Sequence, residues 1–330
     1  MAYTTIDDPS AYFQTTLYTG DGSTSHAITN GGNSDLQADW LWIKSRSSTE
    51  QHFVFDSVRG QSKYIFPNAA NAEGTASTGI LNSFNSDGFT LGNNDGVNAN
   101  SETFVAWQWK KVAGVFDIQT YSGASNTRTI SHNLGVVPKA MIFKRLDDGA
   151  WIVYHVDAGG ADKYLVLNTN AAVDTATTLF NNTVPTSSVF SVGNTNSTNG
   201  SGIDYVVYLF GNKQGVSKMG SYTGNGASSA NSGTFVYTGF KPSLVIVKNT
   251  DTEGWQMWDN KRSSYNGQGS NISPNSANAE STGVRVHFFS NGYQLVSSGG
   301  DQNSSGATFI YMCFAESPFV TSSGVPATAR

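Results

Sequence analysis

The sequence predicts an all-β protein made of three tandem antiparallel β-sandwich repeats of about 100 residues, and three observations predict it. Four landmarks recur in constant order, with a period far longer than the roughly 40–50 residues of a propeller blade. The runs at these landmarks are short, rich in Val, Ile, Phe, Tyr, Trp and Thr, and bounded by Gly, Asn, Asp and Ser, which is how strands read. No stretch of about twelve residues places apolar side chains at helical spacing.

Each repeat opens on a tyrosine and a turn: Tyr18-Thr19-Gly20-Asp21-Gly22, Tyr121-Ser122-Gly123-Ala124-Ser125 and Tyr222-Thr223-Gly224-Asn225-Gly226, with the tyrosines 103 and 101 residues apart. An apolar strand ending in lysine comes next, closing on Lys44, Lys144 and Lys248, which are 100 and 104 residues apart. An aromatic strand follows: His52-Phe-Val-Phe-Asp56, Trp151-Ile-Val-Tyr-His155 and Trp255-Gln-Met-Trp-Asp259. Hairpins come after it, where Asp87-Gly88 and Asn291-Gly292 lie between alternating apolar residues and predict type I′ turns. Each repeat closes on a β-rich run, beginning at Thr103, Asp204 and Thr308. The organisation expected is an N-terminal arm over 1–16, repeats over 17–114, 115–217 and 218–319, and a C-terminal tail over 320–330. The connections at Lys110–Gly114 and Asn212–Lys218 are too short to be free linkers, so the repeats are expected to touch.

Composition narrows the function. The chain of 330 residues has 24 acidic and 19 basic side chains, a net charge of −5 and only 13% charged residues, about half the ~25% usual for a soluble domain. A weakly charged, mildly acidic surface neutralises few phosphates, so neither nucleic acid nor an anionic membrane is an expected partner. No run approaches 18 apolar residues and MAYTTIDDPS has no signal-peptide pattern, so neither membrane insertion nor a signal peptide is expected. The single cysteine, Cys313, lies in an apolar run and reads as a buried thiol.

Candidate chemistry is sparse. The five histidines show no metal-binding spacing, so no metal or cofactor is expected. There is no G-x-S-x-G elbow, and Gly224-Asn225-Gly226 precedes no helix that would hold a phosphate. Asp56 and Asp259 follow apolar residues at equivalent positions. Each is either a ligand or catalytic acid, or a cap on the strand exit paired with Arg59 or Arg262 three residues on. Aromatics make up 12% of the chain beside uncharged amides and hydroxyls, a combination that suits sugar recognition because a ring covers the apolar face of a pyranose. Trp151 and Trp255 stand where a loop enters a strand and are candidates for a ligand rim, with core packing as the alternative. Trp151, Trp255, Asp259 and Arg262 form the candidate ligand-binding set, and no catalytic residue is expected.

The segments YTGNG, GFKPSLVIVKN, W-x-x-W-D-x-x-R, PNxxNAE, FFSNGYQL and YMCFAESPF together resemble a repeated module of structural and tail-fibre proteins of tailed bacteriophages, marine and cyanophage types in particular. The opening TTIDDPSAYFQTTLYTG is similar to the start of such proteins. The resemblance covers nearly the whole chain. It is closest in the third repeat and weakest in the second, where His155 replaces Asp and the hairpin wording is lost at Phe190. It implies jelly-roll or lectin-like sandwiches and a virion protein made in the host cytoplasm without a signal peptide.

The expected function is therefore a non-enzymatic tail-fibre or receptor-binding subunit. It would form a homotrimer, join other virion proteins through residues 1–16 and contact host surface polysaccharide. The alternative is a capsid decoration or collar protein with a purely structural role. Several solvent-facing Trp or Tyr grouped on one domain favour recognition, and none favours structure. A polysaccharide depolymerase would need a carboxylate pair in a groove.

Overall fold

A computed structural model describes residues 4–76, 78–263, 267–283 and 285–327. The first stretch runs through β1 (Phe13–Thr19), β2 (His26–Ile28), β3 (Trp40–Ser45), β4 (Phe53–Asp56), β5 (Lys63–Tyr64), β6 (Gly74–Thr75), β7 (Leu81–Phe84), β8 (Phe89–Leu91) and β9 (Thr103–Trp109), with one short helix α1 (Asp95–Asn98). The second contains β10 (Phe116–Ser122), β11 (Arg128–Ser131), β12 (Ala140–Arg145), β13 (Trp151–His155), β14 (Lys163–Val166), β15 (Asp174–Thr175), β16 (Val189–Val192) and β17 (Asp204–Phe210). The third contains β18 (Ser217–Thr223), β19 (Phe235–Tyr237), β20 (Phe240–Asn249), β21 (Trp255–Asp259), β22 (Val286–Phe289), β23 (Gly292–Leu295) and β24 (Thr308–Pro318).

The protein is all-β, and the paired strands are antiparallel. Three large sheets share one order: β1-β9-β3-β4, β10-β17-β12-β13 and β18-β24-β20-β21, the second extended by β14 and β15. Against each lies a smaller sheet, β2-β8-β7, β11-β16 or β19-β23-β22, which makes a sandwich.

Period-2 alternation distributes the core between two faces of each large sheet. In β3, Leu41 and Ile43 face the small sheet and join Phe89, Leu91 and Phe104. Trp40 and Trp42 face the other way. That second face is buried too, because the backs of all three large sheets meet in a central core that includes Trp40, Trp107, Trp109, Ile142, Tyr208, Phe210, Ile246, Met312 and Phe314. Burial on both faces explains the four-residue apolar runs 40–43, 140–143 and 244–247 within β3, β12 and β20. At the centre, Phe13, Trp109 and Phe210 each pack on Phe314, with ring centroids 5.2, 5.4 and 5.9 Å away. The expected contact between the stretches is thus a shared interior.

Two expectations need adjustment. Gly88 is at φ +98° but Asp87 is not in the left-handed region, so the loop before β8 is a four-residue connection ending in glycine, not a type I′ turn. Gly292 instead begins β23, where a Cβ would stand 2.2 Å from the Val236 carbonyl oxygen. Residues 4–16, expected as an arm, are packed. Phe13 to Thr16 belong to β1, Asp8 caps a 3-10 turn at Pro9–Ala11, and Thr4 Oγ1 donates to the Gln214 carbonyl at 3.0 Å. Asp7 accepts from the backbone N–H and the hydroxyl of Ser322, tying the first described residues to the last.

Candidate functional site

Trp151 and Trp255 begin β13 and β21 and point into the central core, at 0% and 2% exposure. They do not stand at a rim: the strand dips beneath a neighbouring stretch immediately after its loop, and core packing is the reading the geometry supports. Their indole N–H groups cross between stretches. Trp151 Nε1 donates to the carbonyls of Phe66 and Ala69, at 2.9 and 3.1 Å, and Trp255 Nε1 donates to the Val166 carbonyl at 3.0 Å. His52 holds the same position in the first stretch, and its Nε2 lies 2.9 Å from the Ser276 carbonyl. The connections run second to first, third to second and first to third, which closes a ring.

Asp259 and Arg262 are also buried, and they pair with each other as the capping alternative requires. Arg262 Nε donates to Asp259 Oδ2 at 2.6 Å, while Asp259 Oδ1 accepts the backbone N–H of Lys261 and Arg262. Arg59 and Asp56 repeat this pair at 2.6 Å. The oxygen that accepts from the arginine also reaches the next stretch: Trp107 Nε1 donates to Asp259 Oδ2 at 3.0 Å, and Tyr208 Oη to Asp56 Oδ2 at 2.8 Å. His155, at the same position, places Nε2 3.1 Å from the Tyr311 carbonyl. A third ring is made by backbone alone, with Glu73 N–H donating to Leu146, Val173 to Thr250 and Glu280 to Arg46, at 2.8, 2.7 and 2.9 Å. Of the four predicted site residues, Asp259 and Arg262 are joined directly, while Trp151 and Trp255 belong to separate seams.

The electrostatics fit a fastening role. Trp42 donates to His52 Nδ1 at 2.9 Å, so His52 is the neutral Nε2–H tautomer, and burial takes its pKa down to about 3. Burial takes His155 down to about 4. Lys44, Lys144 and Lys248 have fully buried side chains whose ammonium groups donate to carbonyls such as those of Ser48, Asp147 and Asp251, at 2.9, 2.9 and 2.7 Å. Burial lowers each of them to about 8. Cys313 is buried in the third sandwich, where burial raises its thiol pKa. Among the described residues, no group of three or more His, Cys, Asp or Glu is placed to hold a metal ion.

None of the four predicted site residues offers a surface for a ligand. All seven tryptophans are buried. A cleft of about 450 Å³ lies at the seam of the first and third stretches, between Thr15 and Leu17 on one side and Ser243 and Lys261 on the other. Its one aromatic, Phe13, is buried and shows no ring face. A second cleft, of about 370 Å³, opens between the edge strands β18 and β19 and is walled by Phe235 and Tyr237, 46% and 48% exposed. This pair was not among the predicted residues. Its signal is visible in Thr234-Phe-Val-Tyr-Thr238, where a single buried Val between two rings must turn both rings outward.

The chain belongs to a family described as a domain of unknown function, DUF7483, whose model matches residues 8–318. That one match spans all three large sheets and ends on the last residue of β24. No curated protein matches the chain.

Proposed function

We propose that the chain is a non-enzymatic virion protein of tailed bacteriophages, a tail-fibre or receptor-binding subunit that contacts host surface glycan. The observation that carries the reading is the aromatic pair Phe235 and Tyr237, grouped on one sheet and the most exposed large rings among the described residues, the other rings being buried or half-buried. Rigid exposed rings suit recognition of a ligand or partner surface. In this reading, residues 17–114, 115–217 and 218–319 are tandem copies of one jelly-roll or lectin-like module. The shared strand order and the cyclic hydrogen bonds support that assignment. The copies have diverged in role, two as scaffold and the third as reader. Contacts with other virion proteins are assigned to the end carrying residues 4–16, made from a packed surface.

Incubating host cells with the purified protein tests the function. Occupied receptors should slow phage adsorption in proportion to dose, and unchanged adsorption at saturating protein would contradict it. The homotrimer rests on the resemblance, since three large sheets already surround one core within a single chain. Light scattering reads it directly as three times 35.2 kDa.

A further inference from the structure

We propose that the cleft between β18 and β19 is a binding site for a neutral hexopyranose unit, which stacks on Phe235 and Tyr237 and exchanges hydrogen bonds with Ser221, Asp157 and Lys218. The proposal rests on the attachment reading and supplies its site and ligand class.

Strand pairing makes the comparison between stretches exact in register. Ala27 lies opposite Thr90, Thr129 opposite Ser191 and Phe235 opposite Gln294. Two residues on, the same strand or its extension carries Thr29, Ser131 and Tyr237. All six positions are exposed. Two stretches fill them with small side chains, and only the third places rings there. Fold stability cannot be the reason, because the other two sandwiches close without rings and exposed rings favour aggregation.

The surroundings of the rings are those of a ligand subsite. Phe289 extends the surface, its ring centroid 6.1 Å from that of Phe235 in an edge-on contact. Lys218 Nζ donates to the Tyr237 carbonyl at 2.7 Å and sits 5.2 Å from the centroid of that ring, so it fixes the edge of β19 against β18. Met219, Gly220 and Ser221 line the cleft beneath, and a Cβ on Gly220 would lie 2.6 Å from Tyr311 Oη, so the strand passes there without a side chain. Asp157, exposed and contributed by the second stretch, borders the same cleft.

Area and charge select the occupant. About half of each residue's surface is exposed, which at ~150–250 Å² per aromatic side chain leaves roughly 200 Å² for the pair. A stable protein partner needs about 800 Å² per side, about four times what the two rings offer, whereas a single sugar ring matches them in size. One or two sugar rings fit. Asp157 and Lys218 carry opposite charges, so the cleft has no net charge to attract an acidic polymer, while carboxylate, ammonium and hydroxyl supply both acceptors and donors for sugar hydroxyls.

Affinity electrophoresis of the full chain through gels containing dextran, galactan or mannan, with alginate as the acidic control, tests the proposal. At least one neutral polysaccharide should retard the protein more than alginate does. The double variant Phe235→Ser/Tyr237→Ser should lose about tenfold or more of that affinity, and the scaffold variant Thr129→Ala should retain it. Equal retardation of the double variant and the parent overturns the site while leaving attachment intact. Retardation by none of the neutral polymers overturns the ligand class. Loss of adsorption competition as well brings down the attachment reading itself. A dimer that dissociates in the double variant would show that a second copy covers the cleft and would overturn the proposal.

Discussion

The Trp151 indole combines two roles in one side chain, filling the central core with its ring and joining two stretches with its N–H. Trp151→Phe keeps most of the ring but leaves the carbonyls of Phe66 and Ala69 without that donor. A loss of about 1–3 kcal/mol is expected from urea denaturation, and a loss under about 0.5 kcal/mol would contradict the fastening role. The buried histidines predict the pH response. His52 and His155 have folded pKa values of about 3 and about 4, below the ordinary 6.5. Below pH 6.5 these two histidines therefore bind more protons in the unfolded chain than in the folded one, so their contribution to stability is complete above pH 6.5 and is lost toward pH 3–4. The urea midpoint should fall steadily through that window, and His52→Gln should flatten the fall. The sequence alone shows that Trp151, Trp255 and His52 are equivalent, and that Asp259 has Arg262 within reach. It does not show which side of the strand is covered, because that cover comes from residues such as Val166 and Phe66, distant in the chain.

Among the elements, the large-sheet strands are the most legible, since their apolar runs are continuous and their lysines keep register. The run of four apolar residues 244–247 in β20 is buried on both faces, as the shared interior requires, where the sequence suggests sandwiches in series. Turn chemistry is less legible, because a dipeptide does not state its loop length. Asp87-Gly88 ends a four-residue loop, whereas Asn291-Gly292 leads directly into β23. Gly88 is required where it stands, with φ +98° and a Cβ position 2.0 Å from the Ile28 carbonyl oxygen. Gly88→Ala should therefore lower the thermal midpoint by several degrees, with a cost above ~1 kcal/mol. An unchanged midpoint would mean that β8 can shift away from β2 without loss. The β19 rings are legible only by comparison, when Ala27, Thr129 and Phe235 are set side by side.

At the scale of the whole molecule, three sheets closed around one core cannot unfold independently. Removing one stretch exposes side chains such as Trp107 and Tyr208 on its neighbours, and leaves acceptors such as Asp56 without a donor from the next stretch. Calorimetry should show a single transition whose calorimetric and van't Hoff enthalpies agree. Three resolved transitions would contradict the shared core. The family match likewise runs across all three large sheets. Such a scaffold holds β18 and β19 in fixed relation to Asp157 of the neighbouring stretch, which is what a small preformed cleft requires.

The central claim is that this scaffold carries a host-recognition surface on the virion. Gold-labelled antibody against the protein, imaged on intact particles by electron microscopy, tests it most directly. Label confined to appendages at the tail is the predicted result. Label spread over the head would contradict it and assign the chain to capsid decoration.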